Sequence, residues 1–527
     1  MSVPIRNEVQ AAFKLHGLTL KTAASRYLAD QLSQVEDATE RQMWTHRVLA
    51  SVQSQELDSA VVDLDAITLA IQDCSQQEND SEKMFEVIDA FSIRQYEFQP
   101  DSKKLVEREN IPLPQALLFP TRADSKVNLF KHRFSIVQQR VERHDLFSKP
   151  AFVGSDATAQ KFRLRRIEEL RGAGSKLNDV IVLAMLVQLE AGKFHLEDPT
   201  GIVQVDLSNA LFHTGLFTEN CIVLAEGRYS PVERLLKASA IGLPPTETAE
   251  NARKYFGHTN YFGGTSKQCA SASVKMRHLE SQQQDATMVF ATEVFLDSEE
   301  VRHKLRRMFE GFSSVPPTCF VFCGNFCSQP YGVQQYKSLE DGFKALSKLI
   351  ADFPLIRERS HFVFVPGPQD PALGDIVPRP ALPPPLVATA QRSIPQSHFV
   401  SNPCRLRFCT QEIVVYRENL VEKMCRNCVR MPTEQKQIPQ HLAKTLLSQA
   451  HLSPLPLHVS PAYWDYDHCM RLYPAPDLVV LADCYEAFTV QQSQCTITCT
   501  SSFAHNNAAF QVYFPASKEI DDSRIQD

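Results

Sequence analysis

Residues 361–371 read HFVFVPGPQDP. A run of mostly apolar residues ends at Gly367, and Pro368, Gln369 and Asp370 follow it. Such a run predicts a buried strand that hands a loop to the edge of a sheet, where α/β proteins collect ligand-binding residues. Three more runs read the same way: MVFATEVFL (288–296), CFVFCGN (319–325) and DLVVLADCY (477–485). Helical periodicity lies between some of them. Ser298 is placed to cap a helix carrying Val301, Leu305 and Phe309, with Glu299 and Glu300 in its first turn. Leu339, Phe343, Leu346 and Ile350 mark another. Strands and helices in this order indicate covered α/β layers. The proline-rich piece PRPALPPP (378–385) reads as a surface loop.

Upstream, from about residue 160, short apolar runs succeed one another as VIVLAMLVQL, KFHLEDPTG, IVQVDLS, CIVLAEGRY and LLKASAIGL. Five strands, an Asp-Pro-Thr-Gly turn and an interruption at 215–220 suit an OB-type barrel. Phe194, Phe212 and Phe217 are expected to fill it, since few basic residues interleave with them as a single-strand platform requires. Residues 126–147 read as a helix with Phe130, Phe134, Val137 and Val141 on one face and a solvated basic face opposite. The four prolines of 99–122 read as a linker, and Phe85, Ile88 and Phe91 as a helix following the polar stretch SQQENDS (75–81). The first 75 residues read as a small helical bundle: Val9, Ala12 and Phe13 before a stop at Gly17, then Ala24, Tyr27, Leu28 and Leu32 after a cap at Thr19. Trp44, Val48 and Val52 mark a third helix; Leu64, Ile67 and Ile71 mark a fourth.

With 527 residues, the chain is too long for one core. A formal net charge of −6 argues against coating nucleic acid through overall charge. No run is long enough to span a membrane and the first residues carry no apolar signal core, so an intracellular protein without membrane partners is expected, its cysteines mostly buried free thiols. Cys404, Cys409, Cys425 and Cys428 include one CxxC, but the first pair lies on a strand with four residues between the thiols, so structural zinc is the weaker reading. RGAGSK (171–176) lacks phosphate-loop spacing and reads as a turn.

The spacing of the late strands and their polar loops resembles the calcineurin-like metallophosphoesterases. Active members cradle two metal ions with Asp-x-His, Gly-Asp, Gly-Asn-His-Asp and Gly-His-x-His motifs. Two cations about 4 Å apart need that density of anionic and imidazole ligands. Here the first motif becomes Glu293-Val294-Phe295 and the second Gly324-Asn325. The third becomes Gly367-Pro368-Gln369-Asp370, and the last Ala482-Asp483-Cys484-Tyr485. No catalytic residue, metal or cofactor is expected.

A barrel before such a domain resembles the B-subunits of eukaryotic replicative DNA polymerases, and specifically the family serving DNA polymerase epsilon. The resemblance is carried by LFKHRFSIVQQRVERHDLF (129–147), FHLEDPTGIVQVDLS (194–208), NPCRLRFCTQEIVVYRENL (402–420), KMCRNCVR (423–430) and 451–483. It implies a multidomain α+β chain: a helical domain like the small domain of AAA+ ATPases (1–75), a linker and helical connector (76–159), an OB fold (160–245) and an inactive phosphoesterase-like domain (246–527). It implies a nuclear, non-catalytic scaffold. The expected partners are the C-terminal cysteine-rich module of the catalytic subunit, small histone-fold subunits and the replicative helicase, with DNA met mainly through the complex. The alternatives are a metal-dependent phosphodiesterase or 3′-exonuclease built on the residual carboxylates, and a single-strand binding module.

Overall fold

The computed structural model describes residues 3–15, 18–33, 41, 44–46, 48–49, 51–52, 61–71, 83–108, 123–148 and 162–525, the last without 258, 330–331, 333, 373 and 435–436. The chain forms two compact units, Met1–Met84 with Thr265–Leu279, and Phe85–Gly264 with Glu280–Asp527. In the first unit, helices Val3–Leu15 and Thr22–Leu32 bury Val9, Phe13, Ala24, Leu28 and Leu32 with Val48, Val52 and Ile67. Thr19 does not cap the second helix. It lies in a short strand, Thr19–Leu20, paired parallel with Val61–Val62, and Lys21 takes the cap position. Gly17, the stretch 75–81 and residues 109–122 of the expected linker lie outside the described residues.

The second unit begins with a correction. Phe85–Asp89 is a strand, not a helix, and pairs antiparallel with Cys404–Phe408. Gln95–Gln99 and Lys104–Arg108 then form an antiparallel hairpin where a linker was expected. The helix Ala123–Arg143 follows, and its arginines also depart from expectation. Arg133 bonds the Asp467 carboxylate at 2.9 Å, buried Arg140 donates to the Leu447 carbonyl at 3.0 Å, and Arg143 pairs with Glu247 at 2.8 Å. These side chains fasten the helix to later segments, and its exposed cations are Lys126 and Lys131.

The barrel consists of β1 (Leu177–Glu190), β2 (Lys193–Asp198), β3 (Gly201–Asp206), β4 (Ile222–Ser230) and β5 (Leu235–Gly242). β1 pairs with β2 and β4, β2 with β3, β4 with β5, and β5 returns to β3 in parallel, which closes the circuit. Closure removes free edges, as in an OB fold. The Asp198 carboxylate accepts from the Thr200 and Gly201 amides at 2.7 and 3.0 Å and, through its other oxygen, from Ile167 at 2.9 Å, so one turn also anchors the helix Ile167–Arg171. RGAGSK is the end of that helix and the turn into β1.

Two six-stranded sheets follow. The first contains β6 (Met288–Thr292), β7 (Cys319–Cys323) and β8 (His361–Val365), all parallel, with Ser397–Phe399 at one edge and Ala509–Phe514 and Glu519–Arg524 at the other. The second contains Phe85–Asp89, β9 (Cys404–Phe408), β10 (Gln411–Arg417), β11 (Leu478–Ala482), β12 (Cys495–Thr500) and Phe488–Gln492. Val289, Ala291, Phe320, Phe322, Phe362 and Phe364 form the first sheet's outer face under helices Glu299–Phe312, Gln335–Ala351 and Pro384–Ser393. Ser298 caps the first of these by accepting from Val301 at 3.4 Å. The second sheet buries Val414, Tyr416, Val479 and Leu481 against the helix Ile438–Gln449. Buried β6, β7, β8 and β11 have no exposed position, which explains their apolar runs.

The helix Ile438–Gln449 also holds the barrel. His441 and Thr445 accept from the amides of Gly215 and Leu216 at 2.8 Å each, and the Gln449 side chain bonds both backbone groups of Ile222. Among the described residues, no helix is long and apolar enough to cross a membrane.

Candidate functional site

The carboxyl ends of β6, β7, β8, β10 and β11 deliver Glu293, Gly324-Asn325, the 367–370 loop, Arg417 and Asp483. Parallel strands commonly present ligands at this edge. The residue at the centre is Arg417, a fully buried side chain that the sequence reading did not single out. Its Nε donates to the Gly324 carbonyl. Nη1 donates to Asn419 Oδ1 at 2.9 Å and the Ala482 carbonyl at 3.1 Å. Nη2 faces Glu293 Oε1 at 3.3 Å and Cys484 Sγ at 3.7 Å. A guanidinium has five N–H bonds, and these five acceptors take them all. Burial opposes its charge, but Cys484, Glu293 and Asp483 together outweigh that, and Arg417 titrates above the ordinary arginine range.

The other residues of the expected centre are engaged as well. Asp370 is buried, its oxygens accepting from the Phe326 amide at 2.9 Å and the Gly367 amide at 2.7 Å. Burial pushes its carboxyl up to about 6, although those two amides and Arg379 and Arg417 pull the other way. Asn325 Oδ1 accepts from the Gln369 amide at 2.9 Å, and its Nδ2 reaches Gln369 Oε1 at 3.3 Å. The neutral amide therefore fastens one motif loop to the next. Asp483 accepts from the Val421 and Tyr485 amides at 3.0 and 3.1 Å, and burial raises its pKa. Phe295 is buried edge-on against His505 at 5.5 Å, Pro368 is half-buried, Gln369 is exposed, and half-buried Tyr485 meets Phe488 edge-on at 6.3 Å.

The approach is tight enough to require glycine twice. A Cβ on Gly324 would sit 1.9 Å from Asp370 Oδ2, and one on Gly367 would sit 2.4 Å from Asn325 Oδ1. A second arginine, Arg379, grips the loop from outside by donating to the carbonyls of Gly367 at 2.8 Å, Gly374 at 2.7 Å and Pro368. This corrects the reading of 378–385 as a surface loop. Pro378, Arg379 and Leu382 are buried, and the helix Pro384–Ser393 starts within the stretch.

These residues do not fit two divalent metals. The carboxylate at the first motif faces a fixed cation, and both oxygens of Asp370 and of Asp483 are held by main-chain amides. Among the described residues, no group of three or more His, Cys, Asp and Glu side chains is arranged to hold a metal. Cys404 and Cys409 sit at opposite ends of β9, Cys409 in the turn after it; Cys425 is in the helix Leu420–Arg426, and Cys428 Sγ donates to the Arg430 carbonyl at 3.0 Å. Arg417 and Arg379 escaped the sequence reading because each looks like a polar residue ending an apolar stretch or punctuating a proline-rich one. The signal present was the sequence IVVYR, a buried-type strand ending in a cation.

A closed five-stranded barrel is stitched to a two-sheet layer, and the family models that match along this order are those of DNA polymerase B-subunits. The family model for the DNA polymerase alpha/epsilon B-subunit matches residues 288–490. Those for the "DNA polymerase epsilon subunit 2-like, OB-fold domain" and "DNA polymerases epsilon N terminal" match 123–245 and 1–74. The DNA polymerase epsilon subunit 2 of Homo sapiens is 44% identical over 525 residues, covering 99% of each chain. That of Drosophila melanogaster is 37% identical, covering 100% of this chain and 98% of its own, and the DNA polymerase epsilon B-subunit of Arabidopsis thaliana is 34% identical, covering 99% of each. The chain belongs to the family of DNA polymerase epsilon second subunits. A dimetal phosphatase structure from Danio rerio aligns with 44% of this chain and 93% of its own at 11% identity and a TM-score of 0.25.

Proposed function

We propose that this chain is a non-catalytic accessory subunit of DNA polymerase epsilon in nuclear DNA replication. It binds the C-terminal cysteine-rich module of the catalytic subunit, shares the holoenzyme with small histone-fold subunits and ties the assembly to the replicative helicase. Full-length similarity to proteins named as this subunit supports the complex. The observation that carries the non-catalytic reading is Arg417, whose guanidinium faces Glu293 and takes up the carbonyls at the strand ends. A hydrolase of this layout needs those groups for metal and an activated water. A single-strand platform needs exposed aromatics, and here Phe217 is buried in the barrel core with Phe212 and Phe194 packed against it. The degraded positions Glu293, Phe295, Asn325, Pro368, Gln369, Asp370, Asp483 and Tyr485 serve here as architecture.

The test is co-expression of the full chain with the C-terminal region of a DNA polymerase epsilon catalytic subunit. A stoichiometric complex that survives size exclusion is expected. The same preparation is expected to leave a 3′-labelled oligonucleotide and bis(p-nitrophenyl) phosphate intact with added manganese. No complex would sink the scaffold reading. Hydrolysis lost in Asp370→Ala or Glu293→Ala would return the enzyme reading.

A further inference from the structure

We infer that the degraded centre is still a cation site, with its cation now supplied covalently by Arg417, and that without this side chain the cavity takes a free guanidinium-type cation from solution in preference to a divalent metal. The inference rests on the reading of the centre as non-catalytic and says what replaced the chemistry.

The acceptor set carries the argument. Gly324 follows β7, Glu293 follows β6, Ala482 ends β11, Cys484 lies two residues beyond it and Asn419 two residues beyond β10. One planar group therefore ties loops from both sheets, as an ion bound among them would. The acceptors are two main-chain carbonyls, one side-chain amide oxygen, one sulfur and one carboxylate. A single formal negative charge suits a monovalent cation and leaves a pair of dications poorly neutralised. The five acceptors are all met by one guanidinium, which presents its donors in a fixed planar fork, whereas an ammonium concentrates three donors on one atom.

The remaining charged groups nearby do not compete for the position. Asp370 and Asp483 hold main-chain amides, Arg379 is spread over the carbonyls of its own loop, and Lys423 pairs with Glu418 at 2.8 Å. Removing the Arg417 side chain would leave Glu293 and two carbonyls buried around a space of guanidinium shape. Buried acceptors without donors are costly, so a free cation that restores them stabilises the fold by mass action.

The experiment uses the full chain carrying Arg417→Ala, with thermal midpoints read in guanidinium chloride, methylguanidinium chloride, sodium chloride or manganese chloride at matched low-millimolar concentration. Guanidinium and methylguanidinium are expected to raise the midpoint by several degrees, where sodium chloride leaves it in place and the unsubstituted chain does not respond. Adding Glu293→Gln is expected to abolish the rise. A guanidinium effect no larger than that of sodium chloride overturns the inference, and so does a larger rescue by manganese. Should Arg417→Ala fail to fold, Arg417→Lys decides: a midpoint several degrees below the unsubstituted chain is expected, and an equal midpoint overturns the need for a planar fork. Co-purification of the unsubstituted chain with the catalytic subunit is scored separately, so failure of the accessory reading and failure of this inference show in different measurements.

Discussion

The barrel interior and the strand-end centre are both filled from within, the first as the interiors of small barrels usually are, the second at an edge where parallel strands commonly present ligands. The barrel is filled by volume. Phe217 is fully buried, meets Phe212 edge-on at 5.2 Å and packs among aliphatic side chains. The centre is filled by matching, with one guanidinium against five acceptors. An apolar hole accepts any side chain of suitable size, whereas a polar hole accepts only one that satisfies each group it touches. The two fillings should therefore fail differently.

Arg417→Ala should have the largest effect, because it leaves the buried Glu293 carboxyl group without its guanidinium partner. A loss of ~5 kcal/mol, the upper end for breaking a buried ion pair, is expected in chemical denaturation. Arg417→Lys should recover only part of it. Phe217→Ala removes a ring from the barrel and should cost ~3 kcal/mol, with Phe217→Leu costing about a third of that. A much smaller loss for Arg417→Met than for Arg417→Ala would break the contrast, since it would mean that volume alone matters in the centre too.

That contrast also explains what the sequence made legible. β6, β7, β8 and β11 were readable because burial on both faces writes an unbroken apolar run, and the five barrel strands because short runs alternate with turn residues. The departures from a ligand pattern at Glu293, Asn325, Gln369 and Asp483 were expectations drawn from a resemblance. Phe85–Asp89 was not readable. Phe85, Ile88 and Phe91 fall at helical spacing, but a partner strand more than 300 residues later takes the segment. The hairpin after it was hidden by prolines that suggested a linker. Arg417 and Arg379 were invisible for the complementary reason. A buried arginine is written with the same letter as an exposed one, and the acceptors of Arg417 come from segments scattered between Glu293 and Cys484.

A smaller effect probes the centre by pH. Burial raises the Asp370 pKa to about 6, above an ordinary carboxyl near ~4. Between those values the folded chain binds this proton more tightly than the unfolded chain does. Its contribution thus favours folding most below pH ~4 and is lost as the pH rises through about 6. Asp370→Asn should flatten the stability profile across that window by ~2 kcal/mol. The substitution also gives up one of the two amides that the carboxylate holds, so its stability at neutral pH decides nothing by itself. The slope is the measurement, and an unchanged slope would remove Asp370 as its source.

The smallest expected effect tests whether the barrel is as indifferent to polar detail as its interior suggests. Its polar exception is Asp198, which organises the β2–β3 turn and accepts the Ile167 amide through its second oxygen. These donors sit at the rim, where water can replace a lost acceptor, unlike the buried Gly324, Ala482 and Glu293 acceptors that Arg417 satisfies. Asp198→Ala should therefore cost only ~1 kcal/mol, the usual value for a lost capping acceptor. Its effect should appear as faster amide exchange at Ile167, Thr200 and Gly201, with the exchange of β4 and β5 unchanged. A loss as large as that of Phe217→Ala would mean that the rim turn holds the barrel shut, and the division between a matched centre and a volume-filled barrel would fail.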